Sequence, residues 1–212
     1  TAGELFLDRD DEIIIPTPYW ENYDLMFLFR KGVRVKTFDL FAGGGFNWTG
    51  LAEALQGPAK SVLLLNFPNN PTGYTPTSEE AERIVEIIRA ATERGKGLVV
   101  LVDDAYFGLV YEPGVITESL FSRLADLHER VLAVKLDGPT KEDYVWGFRI
   151  GFITYGSAGR VTSRRFTAPW RPRPPEPSGP TPPTCRTWGN PCCSKPTRTR
   201  GTGRRKGKRT RS

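Results

Sequence analysis

The stretch Ser61-Val62-Leu63-Leu64-Leu65-Asn66-Phe67-Pro68-Asn69-Asn70-Pro71-Thr72-Gly73 decides how the rest of the chain is read. Val62 to Leu65 is apolar without a break, so a strand there is buried on both faces, as strands are in parallel sheets covered by helices. The run stops at Asn66, and the Asn-Pro and Thr-Gly pairs beyond it are turn formers. A loop directly after a buried strand lies at its carboxyl end, where open α/β sheets place ligands.

Working outward, Thr1 to about Gly156 alternates short β-branched runs with amphipathic stretches, the pattern of a mainly parallel sheet wrapped by helices. The expected strands are Ile13 to Ile15, Val33 to Phe38, Ser61 to Asn66, Leu98 to Asp103, Val131 to Leu136 and Phe148 to Thr154. The clearest helix starts at Thr77. Thr77 and Glu80 have capping-box spacing, Ala81, Ile84, Val85 and Ile88 share one face, and Gly95 and Gly97 end it. A shorter helix is expected from Trp20 to Arg30, with Gly32 as its exit, and Asn47 is placed to cap another through Leu51 and Leu55.

The charge is as uneven as the pattern. Up to Gly159 there are 15 Lys and Arg against 23 Asp and Glu, and the remainder holds 15 against the single Glu176, so the formal net +6 describes neither part. Residues 157–212 are rich in Pro, Arg, Thr and Ser and carry too little apolar area to offset the entropy of ordering; a disordered tail is expected there. Its composition looks like a GC-rich gene read in a shifted frame, which sequencing the source DNA around Gly156 tests.

No apolar run approaches the roughly 20 residues of a bilayer crossing, and the chain opens on no signal-peptide pattern. All three cysteines, Cys185, Cys192 and Cys193, lie in the tail without paired metal-ligand spacing, so no metal site and a reducing, cytoplasmic setting are expected.

Three elements carry candidate chemistry. In the first loop either the turn formers only close a turn, or Asn70 also presents its amide to a ligand. The strand Leu98 to Val102 delivers Asp103-Asp104-Ala105-Tyr106 at its own carboxyl end. These acids either cap the next turn or supply a carboxylate for a cationic ring nitrogen, with a phenol three residues on in reach of the same ligand. The third element is Gly138-Pro139-Thr140-Lys141, followed by Gly147-Phe148-Arg149-Ile150-Gly151. A loop lysine is usually a solvated charge, but one desolvated near a cation has a lowered pKa and forms Schiff bases. Arg149 offers that cation and a planar fork for a phosphate, and Thr140 a hydroxyl donor.

Together, Asn70-Pro71-Thr72-Gly73, Asp103 to Tyr106, and Lys141 followed by Gly147 to Gly151 resemble the class I/II aminotransferases, fold-type-I pyridoxal-phosphate enzymes, in type, order and strand-end placement. The resemblance implies a three-layer α/β/α cofactor-binding large domain, here partial, over residues 1–156. It implies pyridoxal 5'-phosphate held as a Schiff base by Lys141, which also shuttles the substrate proton. Asp103 then resembles the partner of the pyridine nitrogen, Asn70 and Tyr106 the donors to the ring's 3-oxygen, and Thr140 and Arg149 phosphate ligands. Pro18 to Tyr23 is similar to the segment whose aromatic stacks on the cofactor, with Trp20 the first choice, Tyr19 the second, and Asn22 near the substrate carboxylate. Packing at a helix start is the alternative for these aromatics.

The implied reaction is amino-group transfer between an amino acid and a 2-oxo acid, in an intact protein that is a homodimer; this chain alone is expected to be nearly inactive. A lyase, decarboxylase or synthase with the same cofactor cage is the alternative. A polyanion-binding role for the basic tail is a further one, though it lacks the elements of specific nucleic-acid recognition. Gly138 stands where many relatives have a phosphate-binding serine, the glycine-rich phosphate loop of relatives would lie upstream of Thr1, and the resemblance fades near Gly156. Gly43-Gly44-Gly45 does not have dinucleotide-fingerprint placement, and His128 reads as a surface residue.

Overall fold

Alternation of covered apolar strands with capped helices produces one sheet between two helical layers. A computed structural model of the chain describes residues 2–159. Its strands are β1 Glu12–Thr17, β2 Arg34–Asp39, the short hairpin β3 Phe41–Ala42 and β4 Gly45–Phe46, β5 Lys60–Asn66, β6 Gly97–Asp103, β7 Val131–Asp137 and β8 Phe152–Gly156. Its helices are α1 Ala2–Phe6, a π-helical segment Asp24–Phe29, α2 Trp48–Ala54, α3 Ser78–Glu93 and α4 Phe121–Leu124.

The main sheet has the order β2-β1-β5-β6-β7-β8. Every pair is parallel except β7 with β8, which is antiparallel. The two faces of the sheet bury separate apolar layers. Leu63, Leu65, Val100 and Val102 pack with α2 and α3 residues such as Leu51, Ile84 and Ile88. Val62, Leu64, Val99 and Leu101 face the other way, onto Leu7, Tyr23 and Phe27. Period-2 alternation of a strand with apolar residues at every position forces this two-sided burial. The architecture is the three-layer α/β/α expected from sequence.

Local signals account for most element boundaries. Thr77 Oγ1 accepts from the Glu80 amide and the Glu80 carboxylate accepts from the Thr77 amide, the reciprocal pair that begins α3. Asn47 Oδ1 accepts from the Gly50 amide at 2.8 Å and begins α2. Gly43 and Gly44, at φ +62° and +86°, turn the β3–β4 hairpin, which gives the glycine run a steric role.

Three expectations shift. The last strand begins at Phe152, not Phe148, because a turn ends at residue 148 and residues 149–151 are irregular, with Arg149 at φ +53°. Gly97 opens β6 rather than closing α3. The helix expected from Trp20 to Arg30 is π-wound across Asp24–Phe29; the Val33 amide reaches back to the Phe27 carbonyl at 3.0 Å, and Gly32 exits at φ +68°. The tail beyond residue 159, with its expected disorder and basic character, falls outside the described residues.

Candidate active site

Four neighbouring strands, β1, β5, β6 and β7, send the loops after their carboxyl ends toward one cleft. Trp20 and Tyr23 come from the loop after β1, and Asn66 and Asn70 from the end of β5 and its loop. Asp103, Ala105 and Tyr106 follow from β6, and Lys141 from the loop after β7. The direction of a parallel sheet explains the convergence, because every carboxyl end lies at the same edge. The cleft has a volume of about 110 Å³. That is below the roughly 300–1,000 Å³ of a complete small-molecule site, so the described residues enclose part of one.

Asp103 is the electrostatic centre of the cleft. Its Oδ2 accepts a 2.5 Å hydrogen bond from the Tyr23 hydroxyl, and its Oδ1 accepts from the Ala105 amide at 3.1 Å. Burial nevertheless pushes the carboxyl above its usual range, against the lowering effect of those two donors. Tyr23 is itself buried, and burial beside the Asp103 charge drives its phenol well above the usual value, so it remains a donor. Behind both, Asn66 ties β5 to β6: its Nδ2 donates to the Asp103 carbonyl and its Oδ1 accepts from the Asn70 amide, each at 2.8 Å.

The first loop closes a turn and also brings Asn70 to the cleft. Asn69 Oδ1 accepts from the amide and the hydroxyl of Thr72, which closes the turn. Asn70 Nδ2 donates to the Tyr106 hydroxyl oxygen at 3.2 Å. With its oxygen engaged as acceptor, Tyr106 keeps its proton free to donate into the cleft. The Lys141 amine lies 5.5 Å from the centre of the Tyr106 ring, on the wall that this phenol shares with Asp103.

Of the residues singled out from sequence, Trp20, Asn70, Asp103, Tyr106 and Lys141 line the cleft, whereas Tyr19, Asn22, Thr140 and Arg149 do not. The Tyr19 hydroxyl donates to Asp24 at 2.9 Å instead. Trp20 is 41% exposed and stands edge-on to Tyr23, ring centres 5.6 Å apart. Arg149 is exposed in the turn before β8. A Cβ at Gly138 would stand 2.9 Å from the Ile150 carbonyl oxygen, so a side chain there has no room in this packing. Tyr23 and Asn66 were not anticipated. A polar Asn66 directly after the apolar run Val62 to Leu65 was a usable signal, whereas nothing local distinguishes Tyr23 from the other aromatics of its segment.

Among the described residues no cluster of three or more His, Cys, Asp or Glu could hold a metal. No helix there is long and apolar enough to cross a membrane. The fold and the cleft together define an α/β scaffold that gathers a carboxyl, a phenol and an amine at the carboxyl edge of its sheet.

Comparison with known proteins makes the class specific. The chain belongs to the class I and II aminotransferases, whose family model matches residues 1–170 and so extends past Gly156. It is 32% identical over 166 residues to a probable aspartate/prephenate aminotransferase of Rickettsia bellii, covering 76% of this chain and 38% of that protein. It is 32% identical over 154 residues to an aspartate aminotransferase of Geobacillus stearothermophilus, covering 72% of this chain and 37% of that one. An aminotransferase structure from Anaerococcus prevotii superposes with a TM-score of 0.68 at 26% identity, over 80% of this chain and 42% of the other. The chain therefore spans a little over a third of the length of these curated relatives.

Proposed function

We propose that the intact protein is a pyridoxal-phosphate-dependent aminotransferase that moves an amino group between an amino acid and a 2-oxo acid. The observation carrying this reading is that the Asp103 carboxyl and the Lys141 amine, 38 residues apart in the chain, line one cleft. The residues present fit the ring half of the cofactor. Asp103 is a part-buried carboxyl that its surroundings push above its usual range, and a protonated ring nitrogen would supply it a counter-charge. Tyr106, with its proton free, matches an oxygen substituent.

When bound, pyridoxal phosphate supplies a ring that withdraws electrons from the substrate Cα once its nitrogen is protonated. Asp103, steadied by Tyr23 and the Ala105 amide, holds that proton in place. Tyr106 and Asn70 orient the ring through its 3-oxygen, and Trp20 limits access of water from the open side. Lys141 would supply the amine that holds the cofactor and the base that moves the proton at the substrate Cα. Thr140 and Arg149 remain the proposed phosphate ligands and Asn22 a substrate-carboxylate contact, roles that require the loop after β7 and the segment after β1 to close further.

A homodimer in the cytoplasm completes the proposal. Leu25, Leu28 and Phe29 leave an apolar, exposed side on the π-helical segment that supports a subunit contact.

The test is incubation of the chain with pyridoxal phosphate, borohydride reduction and peptide mapping. A pyridoxyl mass on Lys141, absent from Lys141→Ala, is the expected result; labelling spread over surface lysines removes the assignment. With the intact protein, amino-group transfer that depends on an added oxo acid separates a transaminase from a lyase of the same fold, which releases ammonia without an acceptor.

A further inference from the structure

Asp103 and Asp104 are consecutive, yet the pleat sends them to opposite sides of the sheet. Asp103 faces Tyr23 and the cleft. Asp104, 2% exposed, points into the other apolar layer beside Phe67, Val102, Ile116 and Leu120. There it meets Lys135 of β7, whose Nζ lies 3.6 Å from Asp104 Oδ2 and 2.8 Å from Asp137 Oδ2. The same ammonium sits 4.4 Å from the centre of the Phe107 ring. Asp137 in turn accepts from the Gly138 amide at 2.7 Å through Oδ1, at the first residue of the loop that carries Lys141.

We propose that Lys135 is a positioning residue for the active site, a strut on the back of the sheet that sets the separation of Asp103 and Lys141. It rests on the reading that these two residues hold pyridoxal phosphate. The carboxyl edge of the sheet is braced from both faces: Asn66 joins the ends of β5 and β6 on the cleft side, and the Asp104–Lys135–Asp137 cluster joins the ends of β6 and β7 on the opposite side. The backbone ladder between β6 and β7 continues only one step past Asp103, through the Asp104 amide to the Leu136 carbonyl at 2.9 Å. Beyond that bond Asp137 pairs with Phe152 of β8 on its outer side, and toward β6 it is tied by Lys135, while its carboxylate accepts from the Gly138 amide that starts the Lys141 loop. Lys135 touches neither the cleft nor its lining residues' reactive atoms, so its effect reaches the site through geometry.

The test compares the full 212-residue chain with Lys135→Met, Lys135→Arg and the double variant Lys135→Met/Asp104→Asn, in which no acid at 104 is left without a counter-ion. Amide hydrogen exchange is measured first, without cofactor. In the double variant, exchange of peptides spanning residues 137–142 is expected to rise about tenfold or more while peptides spanning 98–102 stay unchanged, and Lys135→Arg is expected to restore protection. Pyridoxal-phosphate titration follows, where the double variant is expected to bind about tenfold or more weakly than the parent at equal melting temperature. Unchanged exchange over 137–142 in the double variant overturns the proposal. A parent chain that takes up no pyridoxal phosphate at Lys141, with exchange changed as expected, counts against the cofactor reading and leaves the strut standing.

Discussion

β6 and β8 belong to one sheet, two places apart, and could hardly differ more in surroundings. Leu98 to Val102 of β6 are at most 1% exposed, whereas Phe152 and Tyr155 of β8 are 60% and 52% exposed. Both strands are rich in residues that favour extended backbone, so composition does not separate them. The difference is cover. β6 has helical layers on both faces and a parallel strand on each side; β8 ends the described sheet, and Phe6 comes only within 6.2 Å of the Tyr155 ring centre. The lesson extends to the site. Asp103, at the end of the covered strand, has its partners in place, while Arg149, leading into the uncovered one, reaches no cleft-lining position.

The sharpest way to break this comparison is to truncate one side chain in each strand. Leu101→Ala in β6 is expected to lose about 2–5 kcal/mol of stability, because a fully buried leucine leaves a cavity. Phe152→Ala is expected to stay within about 1 kcal/mol, as exposed positions do. Urea unfolding measures both, and similar losses would mean that β8 is covered after all. A smaller effect is expected where β6 meets the cleft. Tyr23→Phe removes the 2.5 Å donor to part-buried Asp103, at a cost of about 1–3 kcal/mol by the same measurement. No loss would show that another donor takes its place.

The gentlest probe is pH. Burial raises the Asp104 carboxyl from 3.8 to about 6, against the lowering effect of Ser119 and Lys135 and with Asp137 and Asp103 also raising it. The folded chain then binds its proton more tightly than the unfolded one. Asp104's contribution to stability is therefore greatest below pH 3.8 and is lost as pH rises through about 6. The fall is limited to about 1.4 kcal/mol per pH unit for one proton. Asp104→Asn should flatten that component of the unfolding free energy between those pH values; an unchanged slope would place the carboxyl in a wetter setting.

Much of the fold was legible because its signals are local. Apolar runs without alternation marked β5 and β6, the Thr77–Glu80 spacing marked the start of α3, and Asn47 marked the start of α2. The π-winding of Asp24–Phe29 was not legible, since an apolar stripe such as Tyr23–Phe27 suits an ordinary helix equally well. The onset of β8 was misplaced for a similar reason. Phe148 and Ile150 read as strand, but the positive φ of Arg149 turns the chain there.

What the amino-acid order determined alone was the alternation of buried strands and capped helices, and the placing of Asn70, Asp103 to Tyr106 and Lys141 just beyond strand ends. Only the tertiary structure decided that the neighbouring Asp104 turns to the opposite layer, and that Tyr23, 80 residues from Asp103, is its partner. It also decided that Lys135 braces the sheet from behind. The physical reason is range. Periodicity and capping act within a few residues, whereas the pleat, the strand order and the depth of burial settle which distant side chains meet.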